Sequence, residues 1–161
     1  MKDAHELDCL IHENLLSSPW IKGEEVDLKL MAFEEQKENT LPYYLFHIMK
    51  DDQVVGTITL RLGFIESTWL QGHIGYEIKP LFQGNRYGFF ALEMIKDLAR
   101  DHGYRYVLIT CEPHNEQSKK IILRSRGKLI IQGNPIPKDH IYHVLGIMQL
   151  DVYMIDLYQT V

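Results

Sequence analysis

The segment PLFQGNRYGFFALEMIKDLARDHG, from Pro80 to Gly103, concentrates residue types suited to holding an anion. Gln83, Gly84, Asn85, Arg86, Tyr87 and Gly88 stand between a strand-like run stopped by proline and a run with helical spacing. A helix start presents about four unpaired N–H groups and the positive end of the helix dipole. Glycines there remove side chains that would keep an anion away, so backbone donors can close around a phosphate or pyrophosphate. Two familiar phosphate-loop spellings are absent: Gly84 and Gly88 are followed by no Lys-Ser or Lys-Thr, and there is no GxGxxG. The spelling present is Gln83-x-x-Arg86-x-Gly88. The Arg86 backbone can still donate, so its side chain is expected to turn outward or to pair with a phosphate.

The elements that must hold this loop read as follows. Leu7, Leu10, Ile11 and Leu15 fall at helical spacing, predicting a first helix at about 4–16, ended by Ser17-Ser18-Pro19. VDLKLMAF (26–33) alternates, with Val26, Leu28, Leu30 and Ala32 on one face, and reads as a strand. YYLFHIM (43–49) and VVGTITLRL (54–62) flank KDDQ, a hairpin signature. In the second of these Ile58, Leu60 and Leu62 point one way, and Thr57, Thr59 and Arg61 the other. HIGYEIK (73–79) is a strand stopped by Pro80, which cannot donate in a ladder. In the helix that follows, Ala91, Met94, Ile95 and Leu98 form the buried stripe, Glu93, Lys96, Asp97, Arg100 and Asp101 face water, and Gly103 is the stop. YRYVLITC (104–111) reads as a central strand, and EPHNEQSKKIILRSRG (112–127) as a turn and short helix with a basic outer face. KLII (128–131) is a strand, QGNPIPKDH (132–140) a loop, and DVYMIDL (151–157) a closing strand. With no linker, repeat or low-complexity segment, residues 1–161 read as a single α+β layered domain.

Composition narrows the function. The chain has 161 residues, 45% hydrophobic and 24% charged, with a formal net charge of −5, which argues against the broad basic face of a nucleic-acid binder. No apolar run approaches the roughly 18 residues of a membrane span, and the acids in MKDAHELDCLIHENLL do not fit a signal peptide. Cys9 and Cys111 have no zinc-type spacing, so no metal is expected and the reading is two reduced thiols in the cytoplasm.

The loop spelling resembles the GNAT superfamily of acyl-CoA N-acyltransferases, whose pyrophosphate loop reads [Q/R]-x-x-G-x-[G/A] at a helix start after a strand. Gln83 and Gly88 match, and Arg86 stands where the family usually has Gly. CEPHNEQSKKIILRSRGKLI, Cys111 to Ile130, resembles the next family block, with Asn115 and Ser118 in the Asn and small-residue places. GHIGYEIKP (72–80) is similar to the strand before the loop in bacterial members described only as acetyltransferases. The three blocks agree in order and spacing over about residues 54–131.

The resemblance implies a mixed, mostly antiparallel central sheet flanked by helices, with splayed central strands, and acetyl-CoA (coenzyme A after transfer) as co-substrate. It implies main-chain contacts from Tyr76 and Ile78 to the pantetheine arm, with the Tyr76 N–H near the thioester carbonyl. The amides from Gln83 through Gly84, Asn85, Arg86 and Tyr87 to Gly88 would hold the pyrophosphate. Asn115 would bond the pantetheine arm with Ser118 beside it. Read locally, Asn115 and Ser118 are equally a turn and an N-cap. Lys119, Lys120, Arg124 and Arg126 read as a solvated helix face, the alternative being contact with the coenzyme's ribose phosphate.

Two departures bear on catalysis. The family's frequent Tyr acid, seven residues after the Asn, is Ile122 here, and a Glu base found in some members, five before it, is Thr110. The remaining candidates are His73, Glu77 and Tyr153. An undisturbed strand puts His73 and Glu77 on one face, and a family bulge there would break that parity. Arg126 stands at a usual Gly, which is expected to shift the helix stop to Gly127. The implied activity is acetyl transfer to a primary amine of a small molecule or peptide, the other reading being a degenerate acyl-CoA-binding module. Acids such as Glu34, Glu35, Glu38, Asp51 and Asp52 would suit a cationic acceptor. No nucleic acid or membrane partner is expected, and DVYMIDL is a candidate edge for a homodimer.

Overall fold

A computed structural model describes residues 4–159. Its strands are β1 (Trp20–Ile21), β2 (Asp27–Glu34), β3 (Tyr43–Lys50), β4 (Gln53–Arg61), β5 (Ile74–Ile78), β6 (Tyr106–Cys111), β7 (Gly127–Pro135) and β8 (Gln149–Asp156). Its helices are α1 (Thr68–Gln71), α2 (Tyr87–Asp101), α3 (Glu116–Arg124) and α4 (Ile141–Val144). The strands form one sheet in the order β1-β2-β3-β4-β5-β6-β8-β7. Every pairing is antiparallel except β5 with β6. Two residues close the β3–β4 hairpin, Asp51 and Asp52, at φ 49° and 65°, the left-handed pair that a tight hairpin twist requires. A parallel pair needs a crossover, and α2 supplies it.

The parallel pair is short. Ile74 opposite Ile109 is its one registered contact, whereas β4 follows β5 from Leu60–Ile74 to Gly56–Ile78. Bonds from Arg61 N to His73 O and from Lys79 N to Val55 O set the alternation of that ladder. Residues 73, 75, 77 and 79 therefore aim their backbone groups at β4, and those of Tyr76 and Ile78 turn toward β6. Past Ile74 those groups face a gap between parted strands.

The core lies between the sheet and α2 and α3, where Phe46, Ile48, Ile58, Leu60, Ile74, Ala91, Leu92 and Ile95 are buried. A smaller apolar cluster on the other face joins Leu7, Leu108 and Val152 to Phe64 and Trp69. Among the described residues no helix is long and apolar enough to cross a membrane.

Several expectations need correction. The helix predicted at 4–16 is a single 3-10 turn, Ala4–Leu7. Tertiary bonds claim the next backbone groups: Leu10 N and Ile11 N donate to His102 O at 2.9 and 3.1 Å, and Leu15 N donates to Tyr44 Oη at 2.9 Å. The 26–33 alternation breaks at a register shift between Leu30 and Ala32. Lys96 does not face water; it is buried, with Nζ 2.8 Å from Glu93 Oε2 and 3.1 Å from Ser125 O. The α3 stop is Arg126 in the left-handed region at φ 70°, and Gly127 already belongs to β7. The expected 132–140 loop begins as strand, to Pro135, through two register shifts. DVYMIDL is no edge: β8 lies between β6 and β7, with both sides paired. The pieces Trp20–Ile21, Thr68–Gln71 and Ile141–Val144 are too short to leave a periodic signal.

Candidate active site

Beside the parted end of β5 lies a cleft of about 400 Å³, floored by Tyr76 and Ile78 and walled by the 83–88 loop, the start of α2 and the length of α3 from Gln117 to Arg124. Gln83 donates its own amide to Pro80 O at 3.3 Å and its side-chain Nε2 to Ile78 O at 3.1 Å, bracing the loop to the strand. Asn85 Nδ2 donates to Phe82 O at 3.1 Å. Gly84, at φ +89°, has nothing within 4 Å of where a Cβ would stand. Arg86 caps α2 at φ 64°, ψ 15°, and the first amide accepted by the helix is that of Phe90, on Arg86 O. Among the described residues the amides of Gly84 through Phe89 have no intramolecular acceptor. They form a row of free donors at the positive end of a 15-residue helix. Gly88 sits where a Cβ would stand 3.2 Å from both Ile121 Cδ1 and Tyr76 Cε2, so a side chain there would crowd the floor.

At the inner end of the cleft Tyr76 Oη donates to Ser118 Oγ at 3.2 Å. Asn115 caps α3, its Oδ1 accepting from Ser118 N at 3.0 Å. Cys111 and Tyr153 are buried in the core and do not line the cleft. Burial pushes the Cys111 thiol up to about 11, with the nearby Asp151 carboxylate adding to it. Burial likewise raises the phenols of Tyr76 and Tyr153, so each holds its proton and can donate it. Lys119 Nζ, 3.7 Å from Asp151 Oδ2 and 4.0 Å from Glu116 Oε1, is engaged locally. Lys120 and Arg124 line the cleft with Arg86, the Arg124 guanidinium lying over the Phe89 ring at 5.4 Å.

The structure brings Tyr76, Glu77, Ile78, Gln83, Gly84, Arg86, Tyr87, Gly88, Asn115 and Ser118 around one cleft, while Asn85 does not line it. It separates His73 from it. His73 is fully buried, with Nε2 3.0 Å from Gly63 O and Nδ1 accepting from Leu108 N at 2.9 Å. Both ring nitrogens are used and burial lowers its pKa to about 4, so it is a neutral structural residue and not a catalytic base. Glu77 is exposed, opposite Thr57. Ile122 is fully buried and Thr110 Oγ1 donates to Leu70 O at 3.0 Å, so neither usual catalytic place offers an acid or base. The Tyr76 hydroxyl was missed as a site group, because only strand alternation together with the crossing of α3 aims it at Ser118. Away from the cleft, Asp8, Cys9 and His12 bring ligand-type atoms within 4.8 Å of one another. There Cys9 donates to Ile11 O, and burial holds its pKa at about 11, so the sulfur is a thiol.

The model of the acetyltransferase (GNAT) domain family matches residues 12–128. Solved structures share the fold. The Salmonella typhimurium acetyl transferase that modifies the N-terminal serine of ribosomal protein L7/L12 is 17% identical, over 71% of this chain and 63% of that one, at TM-score 0.55. The microcin C7 self-immunity acetyltransferase MccE, solved with acetyl-CoA and AMP, is 19% identical over 71% of this chain and 61% of that one, at 0.54. An N-acetyltransferase from Staphylococcus aureus is 17% identical over 71% and 68%, at 0.56. The chain thus spans little more than three fifths of the first two. A search of curated proteins finds no significant match. A splayed parallel pair, a free-amide loop opening a helix and a family match over residues 12–128 agree: the chain belongs to the GNAT acetyltransferase family.

Proposed function

We propose that residues 1–161 act as one cytoplasmic domain that moves an acetyl group from acetyl-CoA to a primary amine by direct attack on the thioester. The observation that carries this reading is the row of free amides from Gly84 to Phe89 beside parted strands. A pyrophosphate matches the donors at the helix start, and an extended amide-bearing arm matches the open strand edge of Tyr76 and Ile78. Asn115 and Ser118 stand beside the arm at the inner end, and Lys120, Arg124 or Arg86 is placed to meet a further phosphate.

In this reading the Tyr76 N–H is aimed at the developing oxyanion, a contribution of about 3–4 kcal/mol for a preorganised donor. The proton for the departing thiolate comes from the Tyr76 phenol, which lines the cleft, or from that of Tyr153, buried in the core, both neutral at physiological pH. Glu77, exposed on the opposite face of β5, is the carboxylate available to take the ammonium proton, directly or through water. Holding amine and thioester side by side supplies much of the remaining acceleration. The acceptor is a small-molecule or peptide amine; the Salmonella relative's action on a protein N-terminus makes peptide N-termini one class to test.

Melting with acetyl-CoA, CoA, ATP and NAD in parallel tests the coenzyme. A ligand at 100 times its Kd adds about 2.7 kcal/mol, and both CoA forms are expected to do so. A shift with ATP or NAD and none with either CoA form would end the proposal. The substitution of the usual Tyr and Glu by Ile122 and Thr110 favours a second reading, an acyl-CoA-binding module without turnover. CoA release across an amine panel separates the two: coenzyme binding with no release for any amine selects the module.

A further inference from the structure

The face of the sheet opposite α2 and α3 carries a cation, Arg61, that has no ion-pair partner among the described residues. Arg61, at the end of β4, is half-buried, and its guanidinium lies over Gly75 of β5. A methyl group on Gly75 would stand 3.7 Å from Nη1 and 4.0 Å from Nη2. Nη1 donates to Gln71 O and Gly72 O at 3.3 and 3.4 Å, at the C-terminal end of α1. Among the described residues Nε and Nη2 make no intramolecular hydrogen bond, and no carboxylate lies within 4.0 Å of the group. The polar groups acting on it are the phenols of Tyr43, its cross-strand partner, and Tyr142 of α4. Taking a guanidinium without a carboxylate partner out of water is costly, and its free Nε/Nη2 edge suits a carboxylate.

Its place gives the cation a use. Gly75 precedes Tyr76, whose N–H is assigned to the thioester. Gly75 puts no side chain of its own between Arg61 and that amide, and the Thr59 hydroxyl, which donates to Gly75 O at 3.3 Å, is the other polar group on this ground. Glu77 is two residues further along the same face, about 7 Å from Gly75 at strand spacing. Building on the acetyltransferase reading, we infer that Arg61 binds a carboxylate of the acceptor, so that the substrate is an amine bearing a carboxylate: a free amino acid, or a peptide with an acidic residue at its N-terminus. The guanidinium anchors the carboxylate and Glu77 receives the ammonium end. The local field thereby overrules the net charge of −5, which by itself suits a polycation; spermidine-like or aminoglycoside amines would leave the guanidinium unpaired and be repelled by it.

The test is CoA release with free L-amino acids, their carboxamides, dipeptides with acidic or neutral first residues, and spermidine. Wild type, Arg61→Gln and Arg61→Lys are compared, and acetyl-CoA-induced melting shifts report intact folding and coenzyme binding. The expected result is a kcat/KM about a hundredfold higher for the best carboxylate than for its amide, the size of a lost charged hydrogen-bond pair. Arg61→Gln brings acid and amide within about threefold, Arg61→Lys keeps part of the preference, and both keep the coenzyme shift. Free acids against acidic dipeptides tell the two carboxylate sources apart. A best substrate without a carboxylate, or an acid-to-amide ratio that Arg61→Gln leaves unchanged, overturns the inference while the acetyltransferase reading stands. Should no amine be turned over, the same panel is read by melting with CoA and without it. A carboxylate-dependent shift erased in Arg61→Gln supports the site even if the coenzyme reading has failed, and its absence overturns the site.

Discussion

Arg86→Gly isolates two effects that the wild-type residue combines. Arg86 holds φ 64°, ψ 15° at the cap of α2, a left-handed conformation that costs a residue with a Cβ about 1–2 kcal/mol. Glycine removes that cost and adds about 0.4–1 kcal/mol of unfolded-chain entropy. The side chain is exposed and makes no hydrogen bond among the described residues, so nothing else is lost from the fold. The net expectation is a stabilisation of roughly 0.5–1 kcal/mol, or about 1–4 °C in Tm for a chain of this size. For the coenzyme the change removes one solvent-exposed charge at the cleft mouth, worth about 1 kcal/mol or less, so acetyl-CoA affinity falls by less than about tenfold. Urea denaturation of the free protein measures the first and titration calorimetry the second. An unchanged or lowered stability would refute the strain argument. An affinity gain beyond tenfold would show that the arginine blocks the loop, and would strengthen the non-catalytic reading.

Three further outcomes follow from the geometry. His73 titrates near 4 when folded, against an ordinary 6.5, so as pH falls the unfolded chain takes its proton first. Stability present above about pH 6.5 is lost progressively down to about 4, by about 3 kcal/mol. Denaturation midpoints across that range check this, and His73→Gln should flatten the His73 part of the slope; His102, also lowered by burial, adds in the same direction. Gly88→Ala gains about 1 kcal/mol of helix propensity against a Cβ 3.2 Å from Tyr76 Cε2 and Ile121 Cδ1. It should thus leave Tm nearly unchanged while weakening coenzyme binding, and equal affinity in calorimetry would contradict the tight floor. If Tyr153 protonates the thiolate, Tyr153→Phe lowers kcat by about a hundredfold or more with KM for acetyl-CoA little changed; an unaltered kcat assigns the role to Tyr76 or water.

Much of the scaffold is local information. KDDQ between two alternating runs specifies a hairpin, Pro80 ends a strand, and Gly103 at φ +89° stops α2, because turns and stops are decided by which residues tolerate a given φ. The loop spelling likewise placed Gln83 to Gly88 at a helix start. That Arg86 is left-handed also explains why the family usually places Gly there: the position needs a positive φ more than it needs a missing side chain.

What escaped the sequence depends on partners distant in the chain. The apolar spacing at 4–16 reads as helix, yet His102 and Tyr44 take its backbone donors. Lys96 sits at a solvent-like position of its own helix and is buried only because Ser125 of the neighbouring segment accepts its ammonium. Sequence left His73 either a catalytic candidate or a structural histidine until burial between Gly63 and Leu108 made it structure, and it put Arg61 only on the polar side of its strand, where the fold sets it over Gly75 with no ion-pair partner among the described residues. Residue order by itself therefore carried the resemblance of three motif blocks to the family, the place of the Gln83–Gly88 turn at a helix start and several element boundaries, the last two because they rest on backbone conformation over a few residues. Tertiary structure alone decided which titratable groups are catalytic candidates and which are masonry, because solvation and counter-charge are set by neighbours that sequence distance hides.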